Sequence, residues 1–169
     1  MRRLRCTMIL LLFISLSLSA GHLGLSIGTF GNGSSGLFGT GTQVQGGLVF
    51  GFAPRWETEL FVITAATADP FSRTIGGVGI SYAVVSPVYT QKEVPSYGNT
   101  SVGFGFMGDI SDLSSYGPFL RVTPVAVGGP QFKLRERAVT FGTYYDVPNK
   151  SFTLFWNVFM LDFFISRSS

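Results

Sequence analysis

The sequence predicts an all-β protein, a closed antiparallel up-and-down transmembrane β-barrel of about eight strands. Charged residues make up only 12% of the 169 residues, about half the usual fraction for a soluble domain. Glycine occurs 22 times, and segments rich in it alternate large apolar residues with small ones. After residue 20 no apolar stretch is long enough for a membrane-spanning helix, so we expect strands to carry the apolar surplus.

The first twenty residues have the pattern of a cleaved secretory signal peptide. Arg2, Arg3 and Arg5 precede the apolar stretch from Met8 to Leu18, and small residues follow it. Cleavage after Ala20 would leave a single barrel domain over residues 21–169. An uncleaved anchor is the alternative.

Removal of the signal peptide changes the charge balance. The net charge of +3 comes from its three arginines, and the remaining chain carries nine basic and nine acidic residues. A neutral chain gives no reason to expect nucleic acid as a partner. Cys6 lies before the apolar stretch, so neither a lipid anchor nor a disulfide is expected in the mature protein.

Strict alternation is clearest in three segments. Between Thr42 and Phe52, one face carries Val44, Leu48 and Phe50 and the other carries glutamine, glycine and valine. The segments Gly76 to Val84 and Ser101 to Phe106 repeat this order of large and small residues. Lipid outside and a narrow interior would select this pattern, because glycine leaves room inside a small barrel.

Less regular segments complete the predicted set of strands. These are Leu23 to Phe30, Trp56 to Ala66, Pro118 to Val127, Ala138 to Tyr145 and Phe152 to Ile165. In the last of them the alternating apolar residues move from even to odd positions. A β-bulge near Val158 would account for this change and would turn Asp162 inward. A short buried helix is the alternative for this stretch.

A Gly-rich alternating chain with an aromatic-rich closing strand resembles the small outer-membrane barrels typified by OmpX, OmpA and OmpW. The resemblance is architectural and covers Leu23 to Ile165. It implies an outer-membrane location and insertion by the barrel-assembly machinery. Such barrels commonly end on an aromatic residue. This chain departs from that pattern, because it continues through Ser166 to Ser169 after its last aromatic residue.

Two motifs typical of enzymes lie in unsuitable surroundings. Gly31 to Gly36 matches a dinucleotide-binding fingerprint, but no helix-forming sequence follows it. Gly24 to Gly28 matches a nucleophile elbow, but the one histidine, His22, precedes the serine that it would have to activate. Neither catalysis nor a metal or other cofactor is therefore expected.

Four charged side chains are candidates for the barrel interior: Glu57, Glu59, Arg121 and Asp162. We expect them to form a salt-bridged plug or to line a narrow polar lumen, because charge on the lipid face is costly. An ion pair at the rim is the alternative. The group Lys133, Arg135, Glu136 and Arg137 follows a turn and is expected at the solvated rim.

Six aromatic residues are candidates for the membrane-interface girdle: Trp56, Tyr82, Tyr116, Tyr144, Tyr145 and Trp156. The predicted function is that of a monomeric, non-enzymatic outer-membrane protein. Its role would be structural, surface-exposed or that of a narrow pore for small or apolar solutes. The alternatives are a secreted lipocalin-like carrier of an apolar ligand and, less favoured, a lipid-modifying barrel enzyme.

Overall fold

The computed structural model describes residues 22–32, 43–53, 55–65, 74–85, 99–110, 113–129 and 133–165. The predicted signal peptide, the C-terminal residues 166–169 and most residues of the longer segments between the predicted strands lie outside these ranges. The signal peptide therefore stays a prediction.

The described residues form strands and the turns between them. The strands are β1 (His22–Asn32), β2 (Gln43–Ala53), β3 (Trp56–Ala65), β4 (Thr74–Val85), β5 (Asn99–Asp109), β6 (Tyr116–Gly129), β7 (Leu134–Asp146), β8 (Ser151–Asn157) and β9 (Met160–Ile165). Each of the eight predicted strands is present, and most are a few residues longer than the prediction. No helix in the described part of the chain is long and apolar enough to cross a membrane.

The strands form one closed antiparallel ring. From β1 to β8 each strand pairs with the next in sequence, β9 pairs with β7, and β1 closes the ring by pairing with β2 on one side and with β8 and β9 on the other. Because β8 and β9 are two halves of one interrupted strand, this is an eight-stranded up-and-down barrel, as predicted. We call the end with His22 and Ile165 the terminal rim and the opposite end the far rim.

The alternating residues face as the sequence predicts. On β4, Val78 lies on the outer surface, whereas Gly79 is buried on the inner face. On β5, Phe104 and Phe106 are exposed outside and Gly103 is buried inside. Large apolar side chains therefore cover the outer wall, and small residues line much of the interior.

The last strand changes parity at Val158 and Phe159, which are both exposed. Before this point Phe155 and Asn157 point inward, and after it Met160 and Asp162 do. The predicted bulge is confirmed, and the alternative of a buried helix is wrong. The bulge allows one strand to place apolar residues outside along its whole length.

Inward glycines lie directly across the sheet from large inward side chains. Gly105 pairs with Phe119, and Gly142 pairs with Phe155. A Cβ atom at Gly142 would overlap the Phe155 ring. Glycine is required at this position because the ring of the neighbouring strand occupies the space of a side chain.

Candidate functional site

The barrel interior has two parts of different chemistry. Near the terminal rim lies a cluster of seven ionisable side chains, which we call the charged cluster: His22, Glu57, Glu59, Arg121, Arg135, Arg137 and Asp162. Towards the far rim lies the aromatic layer: Phe30, Phe61, Ile63, Ile75, Met107, Phe119, Tyr144 and Phe155. The charged cluster is the candidate site.

Glu59 is the centre of one half of the charged cluster. It is 2% exposed and lies 2.6 Å from Arg121 and 3.2 Å from Arg137. Gln45 donates a further hydrogen bond to it over 3.1 Å. A buried carboxylate needs such partners, because its desolvation is costly without them.

Asp162 links this half to the other. It has no exposed surface, and each of its oxygens lies 2.7 Å from an arginine, Arg137 on one side and Arg135 on the other. Arg135 also forms a two-pronged contact with Glu57, over 2.8 and 2.9 Å. Glu57 in turn lies 2.9 Å from His22 Nε2.

These contacts form a continuous chain of alternating charge across the barrel. The Glu57–Arg135 and Glu59–Arg137 pairs join β3 to β7, which lie four strands apart in a ring of eight and therefore face each other. Three arginines balance three carboxylates, so the cluster is neutral when His22 is neutral. The ion pairs thus span the interior from wall to wall at this level.

The four interior candidates from the sequence lie together in this cluster. Glu59, Arg121 and Asp162 are buried inside the barrel, and Glu57 is partly buried near the terminal rim. Glu59 and Arg121 are direct partners, whereas Glu57 and Asp162 are joined through Arg135.

The rim position expected for Arg135 and Arg137 is wrong. Both are buried and point inward, whereas Lys133 and Glu136 are exposed. Strand β7 begins at Leu134 and not near Ala138, because its pairing with β6 extends to the turn. Charged residues at both odd and even positions hid the alternation of this strand in the sequence. The two arginines are nevertheless spaced by two residues, as side chains on one face of a strand are.

The aromatic layer closes the other half of the interior. Phe155 stacks on Phe30 with ring centroids 5.4 Å apart and meets Phe119 edge-on at 6.2 Å. Phe119 also meets Phe61 edge-on at 5.7 Å. These ring contacts place large apolar side chains across this half of the interior.

Tyr144 belongs to this layer and not to the outer girdle, which corrects the expectation from the sequence. Its side chain has no exposed surface, and its hydroxyl lies 3.1 Å from Ser115 Oγ. Ser115 Oγ also contacts Asp146, which accepts a hydrogen bond from Asn149 over 2.9 Å. By contrast, Trp56, Tyr116 and Trp156 are exposed on the outer wall, and their place in a girdle stays a prediction.

Within the described residues, no group of three or more His, Cys, Asp or Glu side chains is placed to hold a metal ion. The carboxylates of the charged cluster contact arginines, which occupy the positions that a cation would need.

Two solved structures are similar to this chain in fold. The N-terminal β-barrel domain of OprF from Pseudomonas aeruginosa matches with a TM-score of 0.48 and 9% identity, covering 84% of this chain and 97% of that domain. The de novo designed TMB2.3, solved by NMR in solution, matches with a TM-score of 0.48 and 12% identity, covering 88% and 98% respectively. No protein-family model and no curated protein matches the sequence.

Proposed function

We propose that this chain is a monomeric outer-membrane β-barrel protein whose interior is closed and whose role is structural. In this role the barrel anchors its connecting loops at the membrane surface, where they are available to a surface ligand. Insertion by the barrel-assembly machinery is part of the proposal, and catalysis is not.

One observation carries the proposal: the outer wall is apolar, whereas the half of the interior near the terminal rim is charged. Phe104, Leu120, Phe141 and Leu154 each expose more than half of their surface on the outer wall. A water-soluble carrier such as a lipocalin requires the opposite arrangement, with an apolar interior for its ligand and a polar exterior. Exposed apolar surface on this scale is favourable when acyl chains surround it.

The closed interior supports a structural role over that of a pore. The charged cluster joins opposite walls, and the aromatic layer fills the barrel beyond it. Eight strands enclose a space that side chains can largely fill, and here a polar cavity of about 50 Å³ remains beside the charged cluster. A solute would have to displace both layers.

The first test is the location of the protein. Bacterial cells that express the full chain are fractionated, and the outer-membrane fraction is washed at alkaline pH. We expect the protein to stay with the membrane and to migrate differently on gels before and after heating. Recovery in the soluble periplasmic fraction would contradict the proposal.

A pair of variants tests lipid contact directly. Phe104→Arg places a charge near the middle of the outer wall and should cost roughly 2–4 kcal/mol of stability in lipid, whereas Tyr116→Arg near the far rim should cost about 0–1 kcal/mol. Unfolding in urea from lipid vesicles measures both. Equal costs for the two variants would argue against a membrane-embedded wall, because water surrounds both positions equally in a soluble protein.

A narrow pore is the second candidate, favoured by a polar cavity that reaches the terminal rim beside Arg121. Recordings from planar bilayers separate the two functions. The closed barrel should give no steady conductance, either as the wild type or as Arg121→Ala, because the aromatic layer stays in place. Steady conductance that changes in Arg121→Ala would favour the pore.

A further inference from the structure

A small polar cavity lies beside the charged cluster. Its volume is about 50 Å³, and its lining runs from the buried Arg137 to Arg55 in the turn between β2 and β3 at the terminal rim. One water molecule needs about 10–15 Å³ of such volume, so the cavity has room for several waters or for one ion with a few non-hydrogen atoms.

The lining of this cavity is strongly basic. Four arginines line it (Arg55, Arg121, Arg135 and Arg137), and Glu57 is the one carboxylate among the lining residues. The other two carboxylates of the charged cluster, Glu59 and Asp162, pair with Arg121, Arg135 and Arg137 but do not line the cavity, and Arg55 lies outside the cluster. The side chains that face the cavity are therefore mostly arginines, although the charged cluster as a whole is neutral.

The lining also offers hydroxyl groups as hydrogen-bond donors. Ser81 of β4 and Ser101 of β5 contribute these, and Thr123 of β6 also lines the cavity, with its hydroxyl 2.9 Å from that of Thr140. Arginine and hydroxyl donors around a small space are the groups that bind phosphate and carboxylate oxygens in proteins.

An unpartnered donor gives independent support. Arg137 is 5% exposed, and among the described residues its Nε has no hydrogen-bond partner, although its Nη atoms contact Glu59, Asp162 and Ser26. A buried charged donor without an acceptor is unfavourable. Arg137 lines the cavity, so an acceptor bound there lies close to this side chain, and a rotation of the guanidinium would bring its Nε–H to that acceptor.

We propose that this cavity binds a small oxyanion, of the size of inorganic phosphate or a short carboxylate, which enters from the terminal rim past Arg55. The arginines supply the charge, the hydroxyls supply further donors, and the cavity volume sets the size limit. This inference concerns the barrel interior and holds whether or not the protein conducts or binds a surface ligand.

The test is a titration with inorganic phosphate on the folded protein in detergent micelles. The NMR signal of the Arg137 Nε–H group reports on the unpartnered donor. We expect a saturable shift of this signal with phosphate and a much smaller one with chloride at matched ionic strength. A shift that does not saturate, or that is equal in chloride, would overturn the proposal in favour of water in the cavity.

Two variants locate the site without breaking the charged cluster. Ala126→Leu fills the cavity from a lining position and should weaken phosphate binding by at least about tenfold, because buried volume is not readily recovered. Val49→Leu enlarges a buried inner residue that does not line the cavity and should leave binding unchanged. Unaltered binding in Ala126→Leu would place the phosphate elsewhere and contradict the proposal.

A second pair tests the charge at the entrance and does not depend on core packing. Arg55→Gln removes an exposed lining charge and should weaken binding about two- to fivefold, the range for an exposed ion pair. Lys150→Gln removes an exposed charge in the turn at the far rim and should have no effect. Equal weakening by both would indicate general attraction by net charge and overturn the assignment to this cavity. Heat-dependent gel migration verifies that each variant is folded.

Discussion

The charged cluster and the aromatic layer fill two halves of the same barrel by different physical means. In the aromatic layer, large rings fit over glycines of the neighbouring strand, as Phe155 does over Gly142. In the charged cluster, each carboxylate has two basic partners, as Asp162 has in Arg135 and Arg137. The stability of the aromatic layer depends on the fit of its side chains, and that of the charged cluster depends on the balance of its charges.

This difference predicts different responses to substitution. Loss of one buried ion leaves its partners desolvated and unpaired, which costs more than the ion pair itself contributed. Loss or gain of volume among rings is absorbed in part by the neighbours. The charged half should therefore be the less tolerant of single changes.

The largest effect is expected for Arg137→Ala. This change leaves Glu59 with one basic partner and Asp162 with one, both buried, and should cost about 3–5 kcal/mol of unfolding free energy. Urea unfolding in lipid or detergent measures it. The matched control is Glu136→Ala on the same strand, an exposed position where little change is expected.

A cost for Arg137→Ala no larger than that of Glu136→Ala would contradict the view that charge balance sets the stability of this half. Replacement by lysine sharpens the comparison. Arg137→Lys keeps the charge but loses the planar fork that reaches Glu59 and Asp162 together, so its stability should fall between the wild type and the alanine variant.

A smaller effect is expected for Gly142→Ala in the aromatic half. The added Cβ overlaps the Phe155 ring, and the resulting overpacking should cost about 1–3 kcal/mol. Gly46→Ala is the control, because a Cβ at this outward glycine has its nearest neighbour 3.9 Å away. There the loss of unfolded-state freedom should leave the stability unchanged or slightly raised.

The origin of this cost is testable by combination. In Gly142→Ala with Phe155→Leu, the smaller side chain makes room for the new methyl group, so the pair should cost less than the sum of the two single changes. Additive costs would show that the penalty at Gly142 comes from its backbone and not from the ring that faces it.

The strands and their faces were predictable because a barrel wall imposes a period of two on the sequence. Lipid on one side and a narrow interior on the other separated Val78 and Phe104 from the glycines beside them. The change of face at Val158 was also predictable, because apolar residues move from even to odd positions there. These signals are local to single strands.

The charged cluster was only partly predictable because its contacts join opposite walls. Glu57, Glu59 and Asp162 were expected inside, but their partners Arg135 and Arg137 lie 25 to 78 residues away along the chain. Lys133 and Glu136 obscure the alternation around these arginines, so their spacing of two residues was by itself too weak a signal to mark them as buried. These ion pairs across the barrel interior follow only from the closed arrangement of the strands, which places β3 opposite β7.

Tyr144 was misplaced for a related reason, and it provides the last and smallest test. A tyrosine in a barrel strand fits either the girdle or the interior, and here the hydroxyl lies inside against Ser115. Tyr144→Phe keeps the ring in the aromatic layer but removes this hydrogen bond, which should cost about 1 kcal/mol. Its neighbour Tyr145 lies on the outer side against Phe152, with ring centroids 4.8 Å apart, and Tyr145→Phe should change the stability much less. Equal costs for the two variants in urea unfolding would mean that the hydroxyl of Tyr144 adds no stability of its own. The aromatic layer would then be stabilised by the packing of its rings alone.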